Sequence, residues 1–90
     1  MDLDFGHWMK EAIREAERAS EKGEVPVGAV LADQKGEIVS RAHNMTLSLQ
    51  DPTAHAEVLA LRIAAARCGN YRVPGTTLVV TVEPLSLIHI

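Results

Sequence analysis

The fold is decided by an apolar run, Val25-Pro26-Val27-Gly28-Ala29-Val30-Leu31-Ala32, that turn residues bound on both sides. Its composition predicts a buried β-strand, with Pro26 near the start because proline cannot donate to an interior ladder. A turn over residues 33–36 follows, and residues 37–42 alternate as a half-exposed strand does. The two strands should therefore form a hairpin. Gly28 permits close approach by a neighbour or ligand, and a plain packing role explains it equally well.

The segment before the hairpin has apolar residues at helical spacing. This spacing predicts an amphipathic helix over about residues 5–22, with Asp4 as N-cap and Gly23 as the stop. The expected apolar stripe comprises Phe5, Met9, Ala12, Ile13, Ala16 and Ala19, with Lys10, Glu11, Arg14 and Arg18 off that stripe.

A second helix is expected after a loop over residues 43–52. It should run from about Pro52 to Arg67, with Asp51 as N-cap and proline at the first helical position. Because the segment is apolar on nearly all sides, we expect it to be largely buried. Gly69-Asn70 should end it.

Residues 76–82 are an unbroken run of residue types that favour β-strands, as expected of a central strand covered on both faces. The order helix, strand, strand, helix, strand predicts an α/β domain with a mixed sheet flanked by helices. Three strands and two helices would leave a sheet edge uncovered, so poor solubility is expected.

The composition bounds the function only loosely. Ninety residues allow one small domain, and a net charge of −3 gives no basic surface for nucleic acid. No membrane-length run or signal peptide is visible, so a cytoplasmic protein is expected. Cys68 is the single cysteine, which excludes an internal disulfide and a cysteine-rich zinc site. Its own role stays open.

The chemistry is concentrated in Asp51-Pro52-Thr53-Ala54-His55-Ala56-Glu57. A lone histidine is more often structural than a ligand, but Glu57 is harder to dismiss because a buried carboxylate is costly unless paired. Side chains two residues apart on a helix diverge by roughly 200°, so His55 and Glu57 should not share a helix face. They can converge beyond the helix N-terminus, where the dipole favours anions.

Three linked segments carry a family resemblance: Glu24 to Val30, Asp51 to Arg62, and Asn70-Tyr71-Arg72 ahead of Thr81-Val82-Glu83-Pro84. His-x-Glu followed by Pro-Cys-x-x-Cys is the signature of zinc deaminases that act on nucleobases. The chain resembles the N-terminal half of the bacterial tRNA-specific adenosine deaminases, in the cytidine deaminase-like superfamily.

That resemblance implies a truncated three-layer α/β/α domain over residues 1–84 and hydrolytic conversion of adenosine to inosine at the wobble position of tRNA. It implies one zinc per subunit, with His55 as a ligand, Glu57 as proton shuttle and Asn44 contacting the nucleoside. It also implies a homodimer that binds the tRNA anticodon loop. Without the resemblance, Asn44 is more simply an asparagine that ends a strand and caps a loop.

The chain departs from the family where the two thiolate ligands should stand, at Leu85 and Ile88. With one ligand left, zinc binding should be lost and the chain should be inactive. Leu85 to Ile90 matches a translated transposon-end adapter of sequencing libraries, so a non-native tail over residues 85–90 is expected. A natural frameshift or a degenerate homologue is the alternative.

Other functions stay open. Guanine or cytosine deamination would use the same segment around His55, although the other two segments fit the tRNA enzymes better. A non-catalytic deaminase-like subunit would keep the cysteines and lose the glutamate, which is the reverse of this pattern. A plain α/β binding module explains neither Glu57 nor the linked segments.

Overall fold

The predicted hairpin is present in the computed structural model, which describes residues 5–69, 75–81 and 86–89. The elements are α1 (Phe5–Glu21), β1 (Gly28–Ala32), β2 (Ile38–His43), α2 (Ala56–Cys68), β3 (Thr77–Val80) and β4 (Ser86–His89). Both helices and the first three strands were predicted, whereas β4 was not. Asp4 and Asn70, with their predicted capping roles, lie outside the described residues. Within those residues, no helix has the length and apolar character that spanning a bilayer requires.

The sheet has the order β2-β1-β3-β4, and every described pairing is antiparallel. A mixed sheet was expected. Strands β2 and β3 do run in the same direction and are joined through α2. They form no parallel ladder, because β1 lies between them and pairs with both.

The two helices cover opposite faces of this sheet, which confirms the three-layer α/β/α arrangement. Alternate residues of a strand point to opposite faces. Val30 and Val79 accordingly pack with Trp8 of α1, while Leu31 and Leu78 pack in a second cluster with α2. The central strands are therefore buried on both sides, as their continuous apolar sequences predicted.

Helix α1 has the predicted length, and Ala12 and Ala19 of the predicted apolar stripe are buried, but the large side chains of that stripe are not. The side chains that it buries are Trp8, Glu11, Ala12, Glu15 and Ala19. Phe5, Met9 and Ile13 are instead 39%, 38% and 48% exposed. The helix is rotated relative to the expectation because its two buried glutamates have partners on β2.

Those partners contact the glutamates across the helix–sheet interface. The Nη1 of Arg41 donates to the Oε1 of Glu11 at 2.5 Å, and Nδ1 of His43 lies 3.1 Å from Oε1 of Glu15. On the helix itself, Arg14 and Arg18 lie 3.1 and 3.0 Å from Glu11 and Glu15. Oε2 of Glu15 is buried without a hydrogen bond, so its contact with Arg18 is Coulombic and poorly directed.

Helix α2 is also less buried than predicted. Its fully buried side chains are Ala56, Ala60 and Ala64, four residues apart on one face. The larger Val58, Leu59 and Leu61 are half-buried, and Ile63 is exposed. The helix lies against the sheet through its smallest side chains. Two hydrogen bonds also join it to β2, from the Ser40 hydroxyl to Ala60 O and from Arg67 to Val39 O.

Gly28 marks the closest approach of α1 to the sheet. A Cβ at this position would overlap the carbonyl oxygen of Ala12 and would lie 2.5 Å from the amide nitrogen of Ala16. Both are backbone atoms, so neither can move aside as a flexible side chain could. Of the two interpretations of Gly28, close approach by a neighbouring element is confirmed.

We expect Gly28→Ala to lower the free energy of unfolding by about 3 kcal/mol, because the added methyl group forces α1 away from the sheet. Gly23→Ala is the matched control. Gly23 has a φ of 74°, but no atom lies within 4 Å of the place that an added methyl group would take. Only backbone strain of about 1–2 kcal/mol therefore applies there. Urea unfolding measures both. A cost for Gly28→Ala no larger than that for Gly23→Ala would contradict the close-contact interpretation.

The ion pair at Glu11 should make stability depend on pH. The hydrogen bond from Arg41 holds the pKa of Glu11 below its ordinary value of 4.5, against the opposing effect of burial and with help from Arg14. A lowered folded-state pKa contributes stability above the unfolded pKa, and that contribution is lost as pH falls through the folded value. Glu11→Gln should therefore destabilise the chain at pH 7 and cost progressively less towards about pH 3.

Glu17→Gln, at an exposed position of the same helix, is the control for this measurement. Urea unfolding of the three proteins at several pH values provides the comparison. A cost of Glu11→Gln that does not change between neutral and acidic pH would show that the ion pair does not carry the pH dependence.

Candidate active site

The first site residue, Asn44, directly follows β2. Its amide nitrogen donates to the carbonyl of Val27 at 3.0 Å, which extends the β1–β2 pairing by one more bond. The residue is 4% exposed. Its Nδ2 lies 3.4 Å from the hydroxyl of Thr46. The strand pairing thus places a buried amide group at the end of the sheet.

His55 and Glu57 lie at the start of α2, on either side of its first residue. The helix begins at Ala56, so His55 is the N-cap, with extended backbone (φ −79°, ψ 150°). His55 is exposed, and Glu57 in the first turn is half-buried. The expected divergence of two side chains that are two residues apart on a helix does not apply, because His55 precedes the helix.

The predicted helix start at Pro52, with Asp51 as N-cap, is wrong. Oδ1 of Asp51 instead accepts from the amide and the hydroxyl of Thr53, at 2.9 and 2.7 Å. These hydrogen bonds, the hydroxyl's first, hold the pKa of Asp51 below its ordinary value. They close a separate turn ahead of the helix. Aspartate is common both in such turns and at helix N-caps, because its side chain accepts hydrogen bonds from nearby amides.

One backbone hydrogen bond brings the two predicted segments together. The amide of Met45 donates to the carbonyl of Ala54 at 2.9 Å. The residues on either side of this bond are Asn44 and His55. The sequence-predicted asparagine and histidine therefore each lie next to a residue of this bond, although they belong to separate segments of the chain.

Glu24 is the residue that the sequence did not single out for the site. Its side chain accepts from the amides of Leu47 and Ser48 at 3.0 and 2.6 Å, and from the Ser48 hydroxyl at 2.6 Å. The residue is 4% exposed. The Ser48 hydroxyl chiefly, and then the two amides, hold the pKa of Glu24 below its ordinary value against the effect of burial. A glutamate before an apolar strand gives no sequence signal for this role, because its partners are mostly backbone groups.

The residue types present do not suit a zinc ion. Among the described residues there is no group of three histidine, cysteine or carboxylate side chains that could hold a metal. The positions of the expected thiolates hold Leu85 and Ile88, which have no donor atom. Cys68 ends α2, about 18 Å along the helix axis from its start next to His55. His55 alone does not make a zinc site.

Comparison with known proteins shows the family of the chain. Residues 5–86 match the family model described as the cytidine and deoxycytidylate deaminase zinc-binding region. The tRNA-specific adenosine deaminase of Aquifex aeolicus (strain VF5) is 53% identical over 78 residues, which cover 87% of this chain and 51% of the relative. The chain thus spans about half the length of that curated relative.

Two solved structures share the fold. One comes from structural studies of A-to-I editing by tRNA:A34 deaminases; it has a TM-score of 0.82 and 45% identity, over 84% of this chain and 54% of that one. The other is guanine deaminase from Bacillus subtilis, with a TM-score of 0.81 and 31% identity, over 88% and 50% of the two chains. The α/β/α layering, the His55–Glu57 pair and the match over residues 5–86 agree, and the chain belongs to the cytidine and deoxycytidylate deaminase family.

Proposed function

We propose that this chain is part of a zinc-dependent hydrolytic deaminase that converts adenosine to inosine at the wobble position of tRNA. The observation that supports the proposal is the Met45–Ala54 hydrogen bond, which joins the residue after Asn44 to the residue before His55. The 53% identity to a tRNA-specific adenosine deaminase supports the choice of substrate.

Each of the three residues has a proposed role. Glu57, at the helix N-terminus, takes up a proton and delivers it to the leaving amine. Asn44 hydrogen-bonds the target nucleoside. His55 is a ligand position, and in the complete site two thiolates would stand with it. In this chain the site is incomplete, so we propose that the chain as given neither holds zinc nor deaminates.

The proposed partner is the anticodon loop of tRNA. A deaminase must receive its base outside the stack, and an unpaired loop supplies an exposed base at low cost. For the complete enzyme we also propose a homodimer in the cytoplasm, on the strength of the family.

Guanine deamination is the second candidate, because the guanine deaminase structure superimposes almost as well as the tRNA deaminase structure. The lower identity, 31% against 45%, makes it the weaker one. None of the contacts described for the site favours a cytosine substrate.

Zinc content tests the assignment of the ligand positions. The chain as given should retain no stoichiometric zinc after dialysis, measured by atomic absorption, because His55 is the one member of the proposed ligand set that remains. Leu85→Cys with Ile88→Cys supplies the two missing thiolates and should bring zinc to one per chain.

Two controls accompany this measurement. Leu87→Cys with Ile90→Cys adds the same pair of thiols two residues later and should not bind zinc at one per chain. His55→Ala in the background of the first double variant should lower the zinc affinity. Stoichiometric zinc in the unchanged chain, or equal binding by both double variants, would contradict the assignment.

The source gene tests the proposed function directly. We propose that residues 85–90 are non-native and that the gene continues from Pro84 into Cys-x-x-Cys, which reading the DNA past that codon decides. The protein encoded there should form inosine in an anticodon stem-loop RNA and release no ammonia from guanine or cytidine. Ammonia from guanine with no change in the RNA would establish the second candidate instead.

A further inference from the structure

The loop that follows Asn44 is held by a buried carboxylate from a distant part of the chain. Glu24 lies between α1 and β1, yet its oxygens receive the amides of Leu47 and Ser48 and the Ser48 hydroxyl. Hydrogen bonds to an ionised acceptor are about twice as strong as neutral ones. Because Glu24 is 4% exposed, water cannot replace these donors without opening the loop.

Bonds within the loop make it a compact turn around that carboxylate. The amide of Leu49 donates to Met45 O at 3.0 Å, and the amide of Asp51 donates to Thr46 O at 3.1 Å. The turn is joined to the rest of the site by the Met45–Ala54 bond. Moving Leu47 and Ser48 away from Glu24 would therefore move the backbone on which Asn44 and Met45 lie.

One side-chain contact ties Asn44 to the same turn. Nδ2 of Asn44 lies 3.4 Å from the Thr46 hydroxyl. The position of Asn44 therefore depends on the turn that Glu24 holds.

We propose that Glu24 is a positioning residue, which holds the 45–49 turn and thereby the place of Asn44 in the candidate site. That Asn44 contacts the nucleoside rests on the proposed function. The hydrogen-bond network around Glu24 does not.

Amide exchange and side-chain resonances of the ¹⁵N-labelled chain test the proposal without any need for activity. Glu24→Gln keeps the side-chain volume but removes the charge and one acceptor. It should lower the protection of the Leu47 and Ser48 amides by about 10- to 100-fold. The amides of Val30 and Leu31 in β1 should stay within about twofold, because the sheet itself does not depend on this contact.

Glu21→Gln is the matched control, three residues earlier and exposed at the end of α1. It should leave all four amides unchanged. Equal loss of protection in the turn and in β1 would show that Glu24 only stabilises the fold, and unchanged protection of Leu47 and Ser48 would show that it does not hold the turn. Either result overturns the proposal.

The link to Asn44 has its own test. Glu24→Gln should shift the side-chain NH₂ resonances of Asn44, and Glu21→Gln should leave them in place. Unchanged Asn44 resonances in Glu24→Gln would overturn the positioning of Asn44 by this turn. Failure of these tests would leave the deaminase assignment standing, and a substrate other than tRNA would leave the network standing.

Discussion

The contact between the backbone of α1 and Gly28 is the constraint on which the rest of the structure depends. Gly28 opens β1, pairs with His43 at the end of β2, and exchanges hydrogen bonds with Thr81 after β3. The same residue admits the carbonyl of Ala12 at a distance that no side chain would allow. One position thus fixes the helix against the sheet beside the end of β2. Asn44 comes next, and after its one further bond to Val27 the loop of the candidate site begins.

Buried carboxylates and their partners reinforce this contact, at a helix–sheet interface that would otherwise be apolar. Glu11 and Glu15 are buried on the sheet-facing side of α1, opposite Arg41 and His43 of β2. Burying a carboxylate is costly unless it is paired and hydrogen-bonded. The pairs therefore contribute to the choice of helix rotation, since another rotation would bury these carboxylates without partners or leave the arginine alone.

The sequence allowed the elements to be predicted, because strand alternation, helical periodicity and turn residues are local properties. It did not reveal the face of α1, since the partners of Glu11 and Glu15 are distant along the chain and only the tertiary structure brings them together. The start of α2 was misplaced for a different reason. Asp51 offers the same acceptor to a turn as to a helix N-cap, and only the observed bonds from Thr53 distinguish the two.

For the candidate site, the motif predicted His55 and Glu57, and the family resemblance added Asn44. The link between their two segments is a bond between two main-chain groups, which no side-chain pattern records. Glu24 was missed on the same grounds, because the groups that it binds are chiefly amides that every residue other than proline carries. Sequence patterns thus indicate the proposed catalytic groups but not the contacts that hold them in place.

At the buried alanines of α2, a larger side chain should destabilise the domain more than a smaller one. Ala56, Ala60 and Ala64 touch the sheet with a single methyl group each, so truncation removes little apolar contact. Any larger side chain must instead separate two layers that already meet at close range, at a cost of about 1–3 kcal/mol. Over evolutionary time this face should drift only among the smallest residues, whereas the half-buried Val58, Leu59 and Leu61 beside it can vary in size. The helix that carries Glu57 is thereby kept at a fixed depth while its outer surface remains free to adapt to new neighbours.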